Sequence, residues 1–144
     1  MTVLPECIVH PVRVDTRLEH VEACLLPQHK GASTPDSLLR VKIRYPEPVL
    51  VGELVRLHVD SLECNEQPLA AVVLCHPLRN GEFEVHLCFF DPDQAQQARM
   101  LEQACHIRAY QSAQECRGQP LPLEDAAREW IDRFAEVFPA LRKS

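Results

Sequence analysis

The sequence predicts a mainly β domain with a helical tail: a small antiparallel β-barrel over about residues 1–91, then two helices over about 92–144. Three observations carry this. Apolar and polar residues alternate in short runs through the first ninety residues, the period of half-buried strands. Asn80-Gly81 lies between two β-rich runs, the strongest short hairpin signal. After Asp91 the alternation stops and strong helix formers take over.

The first strand is read over residues 12–18. Val12, Val14, Thr16 and Leu18 alternate with Arg13, Asp15, Arg17 and Glu19. The apolar phase then moves to Val21, Ala23 and Leu25, which a bulge near Glu19–His20 would produce. Residues 27–37, PQHKGASTPDS, form a turn-rich loop. Leu38–Tyr45 is a strand, YPEPV a proline-punctuated connection, and Leu50–Leu62 a further strand broken near Gly52. Residues 69–91 form the hairpin. A two-residue turn at Asn80-Gly81 sets Arg79 against Glu82, Cys75 against His86 and Val73 against Cys88. Pro77 marks an edge or a bulge.

Asp91 or Asp93 can cap a helix starting near Pro92. Met100, Leu101, Ala104, Cys105 and Ile107 give it a broad apolar face, and Gly118 and Pro120 end it. The second helix starts in PLEDAAREW. Ala127, Ile131, Phe134 and Phe138, with Trp130 beside them, form its apolar stripe, and Pro139 stops or kinks it.

Bulk properties exclude several function classes. The 144 residues suit one domain able to bury a core without staples. A net charge of −6 argues against broad nucleic-acid or anionic-membrane binding, which needs a positive footprint. No apolar run approaches the roughly 20 residues of a membrane span, and MTVLPECIVHPVRVD lacks the marks of a signal peptide, so the expected compartment is the cytoplasm. Seven cysteines without a C-x-x-C pair read as reduced, mostly buried thiols. With four glycines there is no glycine-rich phosphate loop.

Four stretches resemble the PilZ domain family. LRVKIRYPEPVLVGELVRLHV (39–59) is similar to its proline-led turn, glycine and strand. AVVLCHPLRNGEFEVHLCFFD is similar to its paired strands ending in an aromatic and an acidic residue. ARMLEQACHIRAYQ (98–111) and LEDAAREWIDRFAEVFP (123–139) resemble the branch with a helical C-terminal extension. From first to last these span residues 39–139, roughly two thirds of the chain. The resemblance implies a six-stranded antiparallel barrel, and many such domains are receptors for cyclic di-GMP. The family's ligand signature is Arg-x-x-x-Arg before the barrel and Asp/Asn-x-Ser-x-x-Gly on a following turn and strand. Arginine forks suit phosphate and guanine edges, and glycine permits close approach.

The second half of that signature is missing. From Asp36 it requires Ser at 38 and Gly at 41, where the chain has Leu38 and Val41. One residue earlier it meets Pro35, Ser37 and Arg40, and no glycine lies between Gly31 and Gly52. The first half is met only by Arg13/Arg17 and Arg40/Arg44, where the chain's arginine content gives about one such pair by chance. On a strand, Arg13 and Arg17 would share a solvated face about 13 Å apart. His10-Pro11 also resembles the family's approach to its first strand. On that alignment the family's arginines fall before His10, where this chain has Glu6 and no arginine.

The resemblance therefore implies a degenerate member: a non-enzymatic regulatory adaptor without cofactor, acting on a protein partner, for instance in type IV pilus, motility or biofilm control. The alternative is a cyclic-di-GMP receptor using Arg13 and Arg17 with contacts from Asp36, Ser37 or Arg40. Trp130, Phe134 and Phe138 are either helix core or an exposed surface for a partner or a second copy of the chain. No zinc site is expected. Cys75, His86 and Cys88 would share a hairpin face, with Cys64 near, but lack the close Cys pairs of such sites. Cys105 and His106 are adjacent on a helix and do not face each other as a catalytic dyad would. No carboxylate pair or Ser/His/Asp set has diagnostic spacing, so no catalytic residue is expected.

Overall fold

The computed structural model describes residues 7–21, 38–62 and 66–139. Ala23, Leu25, the loop over 27–37 with Asp36 and Ser37, and Cys24 and Cys64 lie outside the described residues. The strands are β1 (Cys7–Val9), β2 (Arg17–Val21), β3 (Leu39–Tyr45), β4 (Leu54–His58), β5 (Leu69–Pro77) and β6 (Phe83–Phe89). The helices are α1 (Pro92–Cys116) and α2 (Leu123–Phe134). The chain is thus mainly β with two C-terminal helices.

The expected antiparallel barrel is corrected in two ways. The six strands form one mixed sheet in the order β1-β3-β6-β5-β4-β2, with β1 parallel to β3. Strands β1 and β2 lie at opposite edges, so the hydrogen-bonded ladder does not close. The Leu18 N–H donates to the Tyr45 hydroxyl at 3.1 Å, a side-chain bridge from the β2 edge toward β3.

The alternation over 12–16 is a turn rather than a strand. Pro11 has no N–H to give a ladder, and its carbonyl accepts from Val14 N–H at 3.1 Å. Val14 turns inward while Val12 stays 68% exposed. Strand β2 begins only at Arg17 and pairs with β4 in unbroken register from Arg17↔His58 to Val21↔Leu54. There is no bulge at Glu19–His20; the chain bends before the strand instead. Strand β4 is likewise shorter than expected, because Gly52, at φ +96°, turns the chain ahead of it.

The β5–β6 hairpin has a three-residue loop, Arg79-Asn80-Gly81. Leu78 N–H donates to the Glu82 carbonyl at 2.8 Å, and Gly81 takes φ +88°. The extra loop residue shifts the register by one relative to expectation, giving Cys75↔Val85 and Leu74↔His86. A bulge at Val73 then sets Ala71 against Cys88. Cys75 therefore lies on the opposite face from His86 and Cys88, and the hairpin zinc set does not assemble.

Leu39, Val41, Ile43, Val85, Leu87 and Phe89 fill the core side of the central strands. Helix α1 covers that core with Ala95, Ala98, Leu101 and Cys105; Met100 and Ala104, expected on this face, point outward. Small residues at 95 and 98 let the helix approach the sheet. Asp91 caps α1 by accepting from Gln94 N–H at 3.1 Å, with Pro92 in the first turn. Its end is a Schellman motif: Gly118 at φ +78°, with Gln119 N–H on the Gln114 carbonyl at 2.9 Å.

Helix α2 buries Ala126 and Trp130, and the turn after it buries Phe138. The buried line is thus one position off the expected Ala127/Ile131 stripe. Ile131 is 46% exposed. Among the described residues no helix is long and apolar enough to cross a membrane.

Candidate functional site: an aromatic groove above a buried polar cluster

Residues of α1, of α2 and the turn after it, and of the turn Pro11–Arg13 line an open, mainly apolar groove of about 600 Å³. Its floor is His106, Ala109 and Tyr110 of α1; one wall is Trp130, Phe134 and Val137; the other is the turn Pro11–Arg13. The aromatic rings brace one another edge to face. Phe138 stands 5.3 Å from both His106 and Trp130, at 76° and 75°, and Tyr110 is 6.2 Å from Phe134. The Arg99 guanidinium lies 5.4 Å from the Phe138 ring centre and donates to the Pro139 carbonyl at 2.9 Å, holding the segment after α2 in place. Tyr110 donates to Glu129 at 3.0 Å and ties the two helices together across the groove.

The question whether Trp130, Phe134 and Phe138 are core or surface has a divided answer. Trp130 and Phe138 are buried, whereas Phe134 is 40% exposed. Phe134, Val137 and Val12 present apolar surface to solvent from the groove walls.

Beneath the floor lies a polar cluster with no sequence expectation behind it. Glu102 sits on the buried face of α1 at 0% exposure. Its Oε2 is 2.7 Å from His10 Nδ1, and His10 Nε2 donates to the Val14 carbonyl at 2.6 Å. A carbonyl cannot donate, so Nε2 carries a proton and Nδ1 meets the carboxylate. Burial alone lowers the His10 pKa, but the hydrogen bond and charge of Glu102 outweigh it and raise the value. The contact with Glu102 therefore favours the protonated imidazole.

Glu102 Oε1 and His106 Nε2 are both buried without a hydrogen-bond partner among the described residues. Burial holds the His106 pKa below its ordinary value. Cys105 completes the cluster: one ligand-type atom from each of His10, Glu102 and Cys105 lies within 4.8 Å of the others. An acidic residue at 102, inside the inward face set by Ala98, Leu101 and Cys105, is the signal that could have found this cluster.

The arginines of the expected signature stand apart. Arg13, on the turn before β2, reaches Ser112 Oγ and Cys116 Sγ of α1 at 3.5 Å. Arg17 forms a fork on Asp60 at 3.0 and 3.2 Å and also meets His58 Nδ1 at 3.1 Å. Arg40 donates to His86 Nδ1 at 2.9 Å on the far side of the sheet order. Each is engaged with a different element.

No family model, curated protein or solved structure matches the chain.

A smaller cleft of about 270 Å³ adjoins the groove. Arg13 and Arg108 border it together with Ser61, Ser112 and Glu115. Neither arginine is a member of the ion pairs found among the described residues. The apolar groove thus has a cationic flank, on a chain whose net charge is −6.

Proposed function

We propose that this protein is a non-enzymatic regulatory adaptor on a degenerate PilZ-type domain, and that it works by seating an amphipathic helix of a protein partner in the α1–α2 groove. The observation that carries the reading is the gathering of Val12, Phe134 and Val137, at 68%, 40% and 76% exposure, on the walls of one aromatic groove. Apolar surface concentrated in a cleft and rimmed by polar groups suits a helix presenting residues at i, i+3, i+4 and i+7. Arg13 and Arg108, without an ion-pair partner among the described residues, favour a partner helix with acidic residues along that flank.

The separation of Arg13, Arg17 and Arg40 favours this reading over a cyclic-di-GMP receptor. A clamp needs its cations on one ligand, and Arg17 is already held by Asp60.

The test is photocrosslinking in cells from a photoreactive residue placed at Val137. A single defined adduct, lost with Phe134→Ser or with Arg13→Glu, supports docking in the groove. An adduct pattern shared with a photoreactive residue at Val51, an exposed site on the turn before β4, overturns it.

A further inference from the structure

We infer that His10, Glu102 and Cys105 form a site for a borderline transition-metal ion, zinc or its cobalt substitute, buried between the turn before β2 and helix α1. The nitrogen, oxygen and sulfur donors converge within 4.8 Å of one another. In a tetrahedral zinc site, bonds of about 2.0–2.3 Å leave ligand atoms roughly 3.3–3.8 Å apart. Small side-chain adjustments on fixed backbones bridge that difference. The donor set selects against calcium and magnesium, which take oxygen shells.

Two further observations point the same way. Glu102 Oε1 is buried and unpartnered, at a side chain that is 0% exposed. Leaving such an atom unsatisfied is costly, and a cation would offset that cost. His10 is arranged as metal-bound histidines are: Nε2–H is fixed on the Val14 carbonyl at 2.6 Å, leaving Nδ1 aimed into the cluster.

A divalent ion binds these ligands deprotonated, so any proton on His10 Nδ1 or Cys105 Sγ leaves to solvent on binding.

The consequence is mechanical. Residues Pro11–Arg13 follow directly on His10 and form one wall of the groove. A metal joining His10 to α1 fixes that wall to the groove floor. His106 Nε2, on the next residue of the helix, is buried and has no hydrogen-bond partner among the described residues.

The experiment takes the full chain, strips it with a chelator and titrates it with cobalt(II) alone, then with zinc in competition. The expected result is one equivalent of cobalt, the visible bands of a four-coordinate ion, a thiolate charge-transfer band in the near ultraviolet, and displacement by zinc. Cys105→Ser should remove the charge-transfer band and weaken zinc at least about 100-fold, the upper end of what losing an outer-shell partner costs. Absence of saturable cobalt uptake by the folded chain overturns the inference, as does a charge-transfer band that survives Cys105→Ser. A measurement free of variants is X-ray absorption of the zinc-loaded chain. One sulfur at about 2.3 Å with nitrogen or oxygen at about 2.0–2.1 Å supports the site; zero sulfurs, or two, overturn it.

Discussion

His10 Nδ1 and Glu102 Oε2 stand 2.7 Å apart across 92 residues of chain, with both side chains at 4% exposure or less. This pair fastens the start of the domain to the middle of α1. Removing one partner strands the other in the interior. Glu102→Ala in metal-free protein should lower stability by roughly 3–5 kcal/mol, read from urea unfolding. Replacing both together, as His10→Leu with Glu102→Leu, should recover much of that loss. A double variant as unstable as the sum of the singles would show that the two residues act independently.

Phe138 and Phe134 separate packing from recognition. Phe138 is 9% exposed and touches the rings of His106 and Trp130. Phe138→Ala should cost about 3–5 kcal/mol in thermal or urea unfolding. Phe134, at 40% exposure, should cost clearly less as Phe134→Ala and yet abolish the Val137 photoadduct. Equal destabilisation by the two would mean that Phe134 belongs to the core.

Glu84 gives a pH dependence on the acid side. The hydrogen bond from His86 holds its carboxyl below the ordinary 4.5; burial opposes it, and Lys42 adds to the lowering. The folded-state value is the lower one. The carboxylate therefore contributes stability above the unfolded-state value, and that contribution is lost as pH falls through the folded one. Glu84→Gln should flatten the fall of the urea midpoint across the acid range below 4.5. An unchanged slope would remove Glu84 from the acid response.

Calorimetric titration with cyclic di-GMP at moderate salt should give no heat up to high micromolar ligand. The Arg13→Ala/Arg17→Ala double variant should behave the same. Micromolar binding lost in that variant would make the two arginines a clamp, and would require Arg17 to leave Asp60.

Local chemistry alone determined the β-rich first part and the two helices. The Asp91 cap, Pro92 in the first turn and Gly118 at the end of α1 act within a few residues of themselves, so they read correctly from the chain. The Asn80-Gly81 turn was legible in place but not in length. One added loop residue moved the register and sent Cys75 and His86 to opposite faces, because side chains alternate every residue along a strand. The Val12–Leu18 alternation misled for a related reason: period two describes a strand only where a ladder exists, and Pro11 and the turn to Val14 prevent one.

Only the tertiary structure decided the parallel β1–β3 pairing, the open sheet and the one-position rotation of the α2 stripe. Each depends on which distant element lies opposite. The same holds for the candidate site. Glu102 was visible as a carboxylate inside an apolar helix face, but its partner His10 comes from another element. Burial made that pairing matter, since a carboxylate in solvent needs no partner and one at 0% exposure does.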